Sequence, residues 1–345
     1  MDNKKIRVAI THGDINGIGY EVILRAFEEP MMLDTCTPII YGSSKLAAFH
    51  AKAMGIDTHC NLISEASEAK DNRVNLIDTF DEAPVTTFGE ASEESYQAGK
   101  HAAARAKEDL KNGLVDVLVQ GPMVPNNQFN PGDKTLTILL SERVRIALVV
   151  TNLPLAEVAQ QVTIDKLVEK GVMFNKSLKR DFRINNPRIA VLAINAEPGD
   201  EEEHLLSPAI SDMEKQGVQA FGPYAAETFF EEHQYESFDG VLAMCDEQAQ
   251  QPFEVLSPEY SVKVKAGLPV VCTTPGHGPM FEIAGQGVAS ATSMRQAIYT
   301  AVDMYRHRKT YDEPFGNPLP KLYHEKREDG DKARFAMPRA KDVFK

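Results

Sequence analysis

Three segments of the chain combine residue types and spacings capable of chemistry. The first is Gly13-Asp14-Ile15-Asn16-Gly17-Ile18-Gly19, between an apolar run and a helical pattern beginning near Tyr20-Glu21. Backbone amides at such a turn can cradle an anion at the helix start. The spacing is not G-x-G-x-x-G, and taken alone the stronger reading is a tight turn that needs glycine backbone freedom. The second is Thr274-Pro275-Gly276-His277-Gly278-Pro279-Met280-Phe281-Glu282-Ile283-Ala284-Gly285-Gln286-Gly287. Four glycines around a histidine, following a strand, make a loop that a flat ring and a diphosphate can approach closely. A lone histidine or a glycine turn is more often structural, so both readings stay open for this loop. The third group is acidic: Glu197, residues 200–203, and Asp246-Glu247, each just after an expected strand. Residues 200–203 precede a helix and are expected to stabilise its start. Glu197 and Asp246 lack that role and stay open as candidate ligands for a hard cation. The sequence contains neither a Walker P-loop nor a G-x-S-x-G elbow.

Positioning these groups requires a frame, and the hydrophobic pattern supplies one. Short β-rich runs occur at residues 7–11, 38–41, 115–119, 145–151, 188–194, 240–244 and 269–273. Several are near-continuous apolar runs, as expected of strands covered on both faces. Helical periodicity lies between them, most clearly at residues 92–111, capped near Ser92 and ended by Asn112-Gly113, and again at about 290–308. The alternation predicts an α/β fold of two domains, with largely parallel sheets and helices on both faces. The expected division lies near Gly121-Pro122. Residues 1–120 with about 290–345 form one α/β domain, and residues 121–289 form a second that carries the acidic positions and the second glycine loop. The basic cluster Arg306-His307-Arg308-Lys309 is expected to complete a helix C-terminus. From about Thr310 the chain turns rich in charge and proline and is expected to be a loosely attached surface tail.

Composition narrows the classes of partner. The formal charge of −13 over 345 residues argues against nucleic acid, which needs a basic surface. No apolar stretch approaches the ~20 residues of a membrane span, and the first apolar run, ending at His12-Gly13, is too short for a signal peptide. Cys36, Cys60, Cys245 and Cys272 form no C-x-x-C pair, which favours a reducing compartment and a cytoplasmic address.

Taken in order, these pieces resemble one family, the 4-hydroxythreonine-4-phosphate dehydrogenases or PdxA enzymes of vitamin B6 synthesis. The family's opening signature T-x-G-D-P-x-G-I-G-P-E is similar to Thr11-His12-Gly13-Asp14-Ile15-Asn16-Gly17-Ile18-Gly19-Tyr20-Glu21. Its T-x-L-P-L segment matches Thr151-Asn152-Leu153-Pro154-Leu155, and its strand with N-P-H-A-G matches residues 188–199. Its F-D-G-V-L-A-M strand is residues 238–244, its G-L-P strand begins at Gly267-Leu268-Pro269, and its H-G-T…A-G-x-G loop is residues 277–287. The resemblance runs from the first strand to about Arg308 and implies a fold like that of isopropylmalate dehydrogenases.

It also implies an activity: NAD-dependent oxidation with decarboxylation of a phosphorylated hydroxy-amino acid, in pyridoxal phosphate biosynthesis. By resemblance, NAD falls on His277, Gly278, Glu282, Ala284 and Gly285. The family holds a divalent metal with three histidines drawn from both subunits of a homodimer, and the metal polarises the reacting oxygen. The matching positions here are Asn152, Glu197 and Asp246. Such an all-oxygen set suits magnesium or manganese rather than zinc. The family's substrate-holding Lys, Asn and Arg fall on Glu254, Lys263 and Cys272, and its lysine after Gly-Pro on Pro125. Its phosphate-contacting loop is shortened to Asn130-Pro131-Gly132-Asp133-Lys134-Thr135. Lys→Glu reverses a charge and Arg→Cys removes a bidentate donor. The expectation is therefore a dehydrogenase impaired or altered in substrate, acting on a small molecule. The alternative is a non-catalytic homodimer that binds a nucleotide or a partner. No residue is assigned as catalytic.

Overall fold

A computed structural model describes residues 5–57, 59–124, 134–197 and 199–316. The apolar runs of the first half become β1 (Arg7–Thr11), β2 (Thr37–Gly42), β3 (Cys60–Ile63), β4 (Val74–Asp78) and β5 (Val117–Val119). Those of the second half become β6 (Leu136–Leu140), β7 (Arg145–Leu148), β8 (Arg188–Leu192), β9 (Gln219–Tyr224), β10 (Gly240–Ala243), β11 (Val262–Ala266) and β12 (Val271–Pro275). The helices are α1 (Gly19–Ala26), α2 (Met31–Thr35), α3 (Ser44–Met54), α4 (Glu93–Lys111) and α5 (Leu155–Gln161). They continue with α6 (Ile164–Arg180), α7 (Asp200–Lys215), α8 (Ala226–Glu231), α9 (Asp246–Leu256) and α10 (Thr292–Gly316). None of the described helices is long and apolar enough to cross a membrane.

Among the described residues, twelve strands join one sheet in the order β3-β4-β2-β1-β5-β12-β11-β6-β7-β10-β8-β9. Strands β3 to β12 of that order are parallel to one another, as are β7, β10, β8 and β9. Between these blocks lie three antiparallel pairings, β12 with β11, β11 with β6, and β6 with β7. Three reversals leave the two parallel blocks pointing in opposite directions. This is an α/β fold of the expected class, with its two halves fused through a central antiparallel seam. The expected division near Gly121-Pro122 falls just beyond β5, and β12, from within residues 121–289, pairs with β5.

Local chemistry explains the helix boundaries. Ser92 caps α4: its Oγ accepts the Ser95 N–H, and the Ser95 Oγ accepts the Ser92 N–H in return. The small residues Ala98, Gly99, Ala102 and Ala106 face inward and let this helix lie close to the sheet. Helix α10 differs from its expectation. It does not end at the basic cluster but continues to Gly316, so the first residues of the expected tail are helical. Arg308 is not a terminal cation: it is buried, and its Nε donates to Asp181 Oδ1 at 2.6 Å. The His307 ring lies 2.7 Å from the Asp181 carbonyl, so the cluster docks α10 on the end of α6. Residues 317–345 lie outside the described residues.

Candidate functional site

The glycine turn at residues 13–19 is buried throughout. The Asp14 carboxylate organises it, accepting the Asn16 N–H at 2.9 Å and the Ser95 hydroxyl at 3.1 Å. Burial pushes the Asp14 carboxyl up, and these bonds offset only part of that rise. The Asp14 N–H is taken by the Pro122 carbonyl, and the Gly17 N–H by the Asp14 carbonyl. A side chain at Gly13 would meet the Pro122 oxygen at 2.2 Å, on a backbone at φ +76°. The turn is a structural joint, with its amides used internally rather than offered to an anion.

That joint carries the second glycine loop. The Ile18 N–H donates to the Pro279 carbonyl at 3.0 Å, Arg25 to the Gly287 carbonyl at 2.6 Å, and the Ala289 N–H to Glu21 at 2.9 Å. Sequence reading did not link the two glycine clusters, and the fold joins them. The loop leaves β12 at Gly276, whose N–H donates to the Ser261 carbonyl at 2.8 Å. Next, the His277 Nδ1 lies 2.9 Å from the Gly278 carbonyl. A carbonyl only accepts, so Nδ1 carries the proton and Nε2 of the neutral ring keeps a free lone pair. Nε2 is buried without a partner. Burial first, and the Lys263 charge last, push the His277 ring below its ordinary range, against the Gly278 bond. A β-carbon on Gly278 would meet nothing within 4 Å. Glu282 is exposed in a short 3₁₀ turn followed by Ala284, and Gly285 packs against Phe88. An orphaned ring nitrogen beside open space at Gly278 fits a flat, polar ligand such as a dinucleotide.

The three expected metal positions follow strands of the second block: Asn152 after β7, Glu197 after β8 and Asp246 after β10. A cavity of about 590 Å³ opens at these strand ends, lined by Leu155, Ile194, Ala196, Cys245 and Gln248 among others. Asn152 and Asp246 come together, with the Asn152 N–H donating to Asp246 Oδ2 at 2.8 Å. Asn152 holds a left-handed backbone, φ +54°, which asparagine tolerates better than most residues. Asp246 also opens α9, so it has the helix-start role the sequence did not show. Burial pushes its carboxyl up and the Glu247 charge adds to the rise, while the Asn152 N–H and the Lys263 and Lys265 charges offset part of it. Glu197 is exposed. Among the described residues, no three His, Cys, Asp or Glu side chains group closely enough to hold a metal ion. Among the described residues of one chain, the contact between the expected metal positions is that of Asn152 with Asp246.

The remaining expected positions separate. Glu254 is exposed on α9 and accepts from Gln250. Cys272 is buried in β12 with its thiol pushed up to about 11 by burial, and contacts Gln120. Pro125 and residues 130–133 of the shortened loop lie outside the described residues. Lys263 lies on β11, where burial opposes its ammonium and the Asp246 and Glu254 charges favour it. With Lys265 it was missed as a pair, although the alternation Val262-Lys263-Val264-Lys265-Ala266 is a legible strand signal. Also missed was a buried ring cluster under the first turn, where His12 stacks on Tyr20 at 5.1 Å and His50 tilts against Tyr20 at 5.0 Å.

With this geometry in place, comparison with known proteins is informative. Residues 126–301 match the family model described as pyridoxal phosphate biosynthetic protein PdxA. The 4-hydroxythreonine-4-phosphate dehydrogenase of Bacteroides thetaiotaomicron is 42% identical, over 97% of this chain and 98% of its own. A crystal structure of a 4-hydroxythreonine-4-phosphate dehydrogenase from Burkholderia phymatum aligns at TM-score 0.68 and 26% identity, covering 88% of this chain and 99% of that one. The Klebsiella pneumoniae enzyme of the same name aligns at TM-score 0.72 and 23% identity, over 88% and 99% of the two chains, a likeness of fold.

Proposed function

Since the chain belongs to the PdxA family, we propose that it is an NAD-binding dehydrogenase whose substrate differs from 4-hydroxythreonine 4-phosphate. One observation carries this reading. The loop at residues 277–287 stands docked and open, while the positions for metal and substrate hold Asn152, Glu197, Asp246, Glu254, Lys263 and Cys272. NAD, when bound, supplies a hydride acceptor. His277, Gly278, Glu282, Ala284 and Gly285 would hold it. Gly278 leaves room for close approach, and the protonated Nδ1 of His277 fixes which ring nitrogen faces the ligand. By the family's pattern the functional unit is a homodimer, which sedimentation would measure.

The deciding experiment follows NADH formation with 4-phosphohydroxythreonine, NAD and zinc, magnesium or manganese in turn, beside a family enzyme as control. We expect no NADH from this protein, together with a rise in its melting temperature on adding NAD. Turnover with any of the metals would overturn the altered-substrate reading. A second reading, a non-catalytic nucleotide-binding homodimer, is favoured by the bond that engages Asp246 with Asn152. NAD binding with no oxidation across a panel of small hydroxy acids would select it.

A further inference from the structure

We propose that the central seam of the sheet carries a second ligand site, where the Arg145 guanidinium holds a small carboxylate with a flat, apolar body. None of residues 277–287 lines this site, and the proposal is independent of how that loop is read.

The register of the seam builds the site. Arg145 of β7 pairs with Leu140 of β6, and Leu140 pairs with Val262 of β11, so the three stand on one face of the sheet. Lys263, the next residue of β11, points to the other face. Helix α10 and the end of α6 come up on the Val262 side and leave a cavity of about 250 Å³. Phe182 closes it after α6, and Tyr260 closes it just before β11. Gln296, Thr300 and His307 line it from α10, at spacings that put them on one helix face.

The polar groups around this cavity are short of partners. Arg145 is half-buried, and its Nε is fully buried with no hydrogen-bond partner. Its Nη1 reaches only the Asp239 carbonyl, at 3.4 Å, and its guanidinium lies over the Phe182 ring at 5.5 Å. Burial opposes its charge, and the Asp239 carboxylate favours it without forming an ion pair. The half-buried Gln296 amide and Thr300 hydroxyl make no hydrogen bond among the described residues. The acids of the cavity are otherwise committed or open to water: Asp181 is held by Arg308 at 2.6 Å, Asp303 faces Arg306 at 3.6 Å, and Glu142 is exposed.

A guanidinium stacked on a ring is fixed in its plane and presents a fork of donors that matches a carboxylate. Leaving it partly desolvated and unpaired is unfavourable, and an incoming anion relieves that. The remaining walls, Leu140, Val262, Met304, Phe182 and Tyr260, are apolar or aromatic and suit the body of the acid. A cavity of roughly 150 Å³ holds benzene, so this one has room for a single ring with its carboxylate.

Calorimetric titration of the full chain with benzoate tests the site, beside benzamide and benzylamine as neutral and cationic ligands of the same size. We expect benzoate to bind at least about tenfold more tightly than either, the margin of one charge-assisted hydrogen bond. Arg145→Met should weaken benzoate by a similar factor, and Thr300→Val by about threefold, as for a neutral hydrogen bond. Thermal melting checks that the variants fold. If Arg145→Met does not, Thr300→Val and Gln296→Leu on the helix wall decide in its place. The proposal fails if benzoate does not bind, if benzamide or benzylamine binds as tightly, or if benzoate binding is unmoved by the variants that fold.

Discussion

At Gly278 a side chain would displace no protein atom, whereas at Gly13 it would collide with backbone. This difference makes Gly278→Val a clean probe. It should leave the melting temperature unchanged and weaken NAD binding about tenfold or more, since the added bulk stands where the ligand must approach. Unchanged affinity by calorimetry would remove Gly278 from the binding surface. Both glycine clusters were legible in the sequence because glycine marks places where the backbone needs room. The carboxylates were less legible. A carboxylate takes whichever donor the fold brings, and Asp246 meets the backbone of a residue on a different strand end, Asn152. Lys263 and Lys265 were obscured for a related reason: lysines alternating with valines read as a solvated strand face until neighbouring strands bury them partly.

The contact that anchors α10 belongs to the scale of elements. Arg308 and Asp181 are both buried and paired, and Asp181 also accepts the Ser177 hydroxyl. Removing one partner strands the other, so Arg308→Met should lower stability by about 3–5 kcal/mol. A urea denaturation midpoint within error of the native protein would contradict this. The strands with near-continuous apolar runs were recognisable, as was α4 from its capping serine. Five strands were not. β3, β9 and β11 each mix polar and apolar residues, and β4 carries two asparagines or aspartates in five positions, so single-segment hydrophobicity understates them, whereas β6 is an apolar run interrupted only by Thr137 and was passed over despite a legible pattern. The end of α10 was misread because a basic cluster normally signals a helix C-terminus, and only tertiary contact shows Arg308 to be interior.

For the molecule as a whole, the buried rings set a pH dependence. Burial lowers both His12 and His50 to about 4. Both are neutral in the folded chain, while the unfolded chain takes up protons below the ordinary histidine value of 6.5. Their contribution is fully present above pH 6.5 and is lost as pH falls toward 4, on the order of a few kcal/mol. Asp14 and Glu21, whose carboxyls burial pushes up, act in the opposite sense. Urea midpoints should fall between pH 7 and pH 5, and His50→Phe should flatten the slope. A native profile that is level over this range would refute the assignment. The single sheet has a different consequence, in the order of assembly. β5 (residues 117–119) gains its second neighbour only when residues 271–273 of β12 arrive. As the chain leaves the ribosome, the first half therefore waits with an open strand edge through the synthesis of the entire second block. An unpaired edge is a template for pairing with other chains. Completion of the fold, and release from that hazard, comes only with the last strand and the helix that covers it.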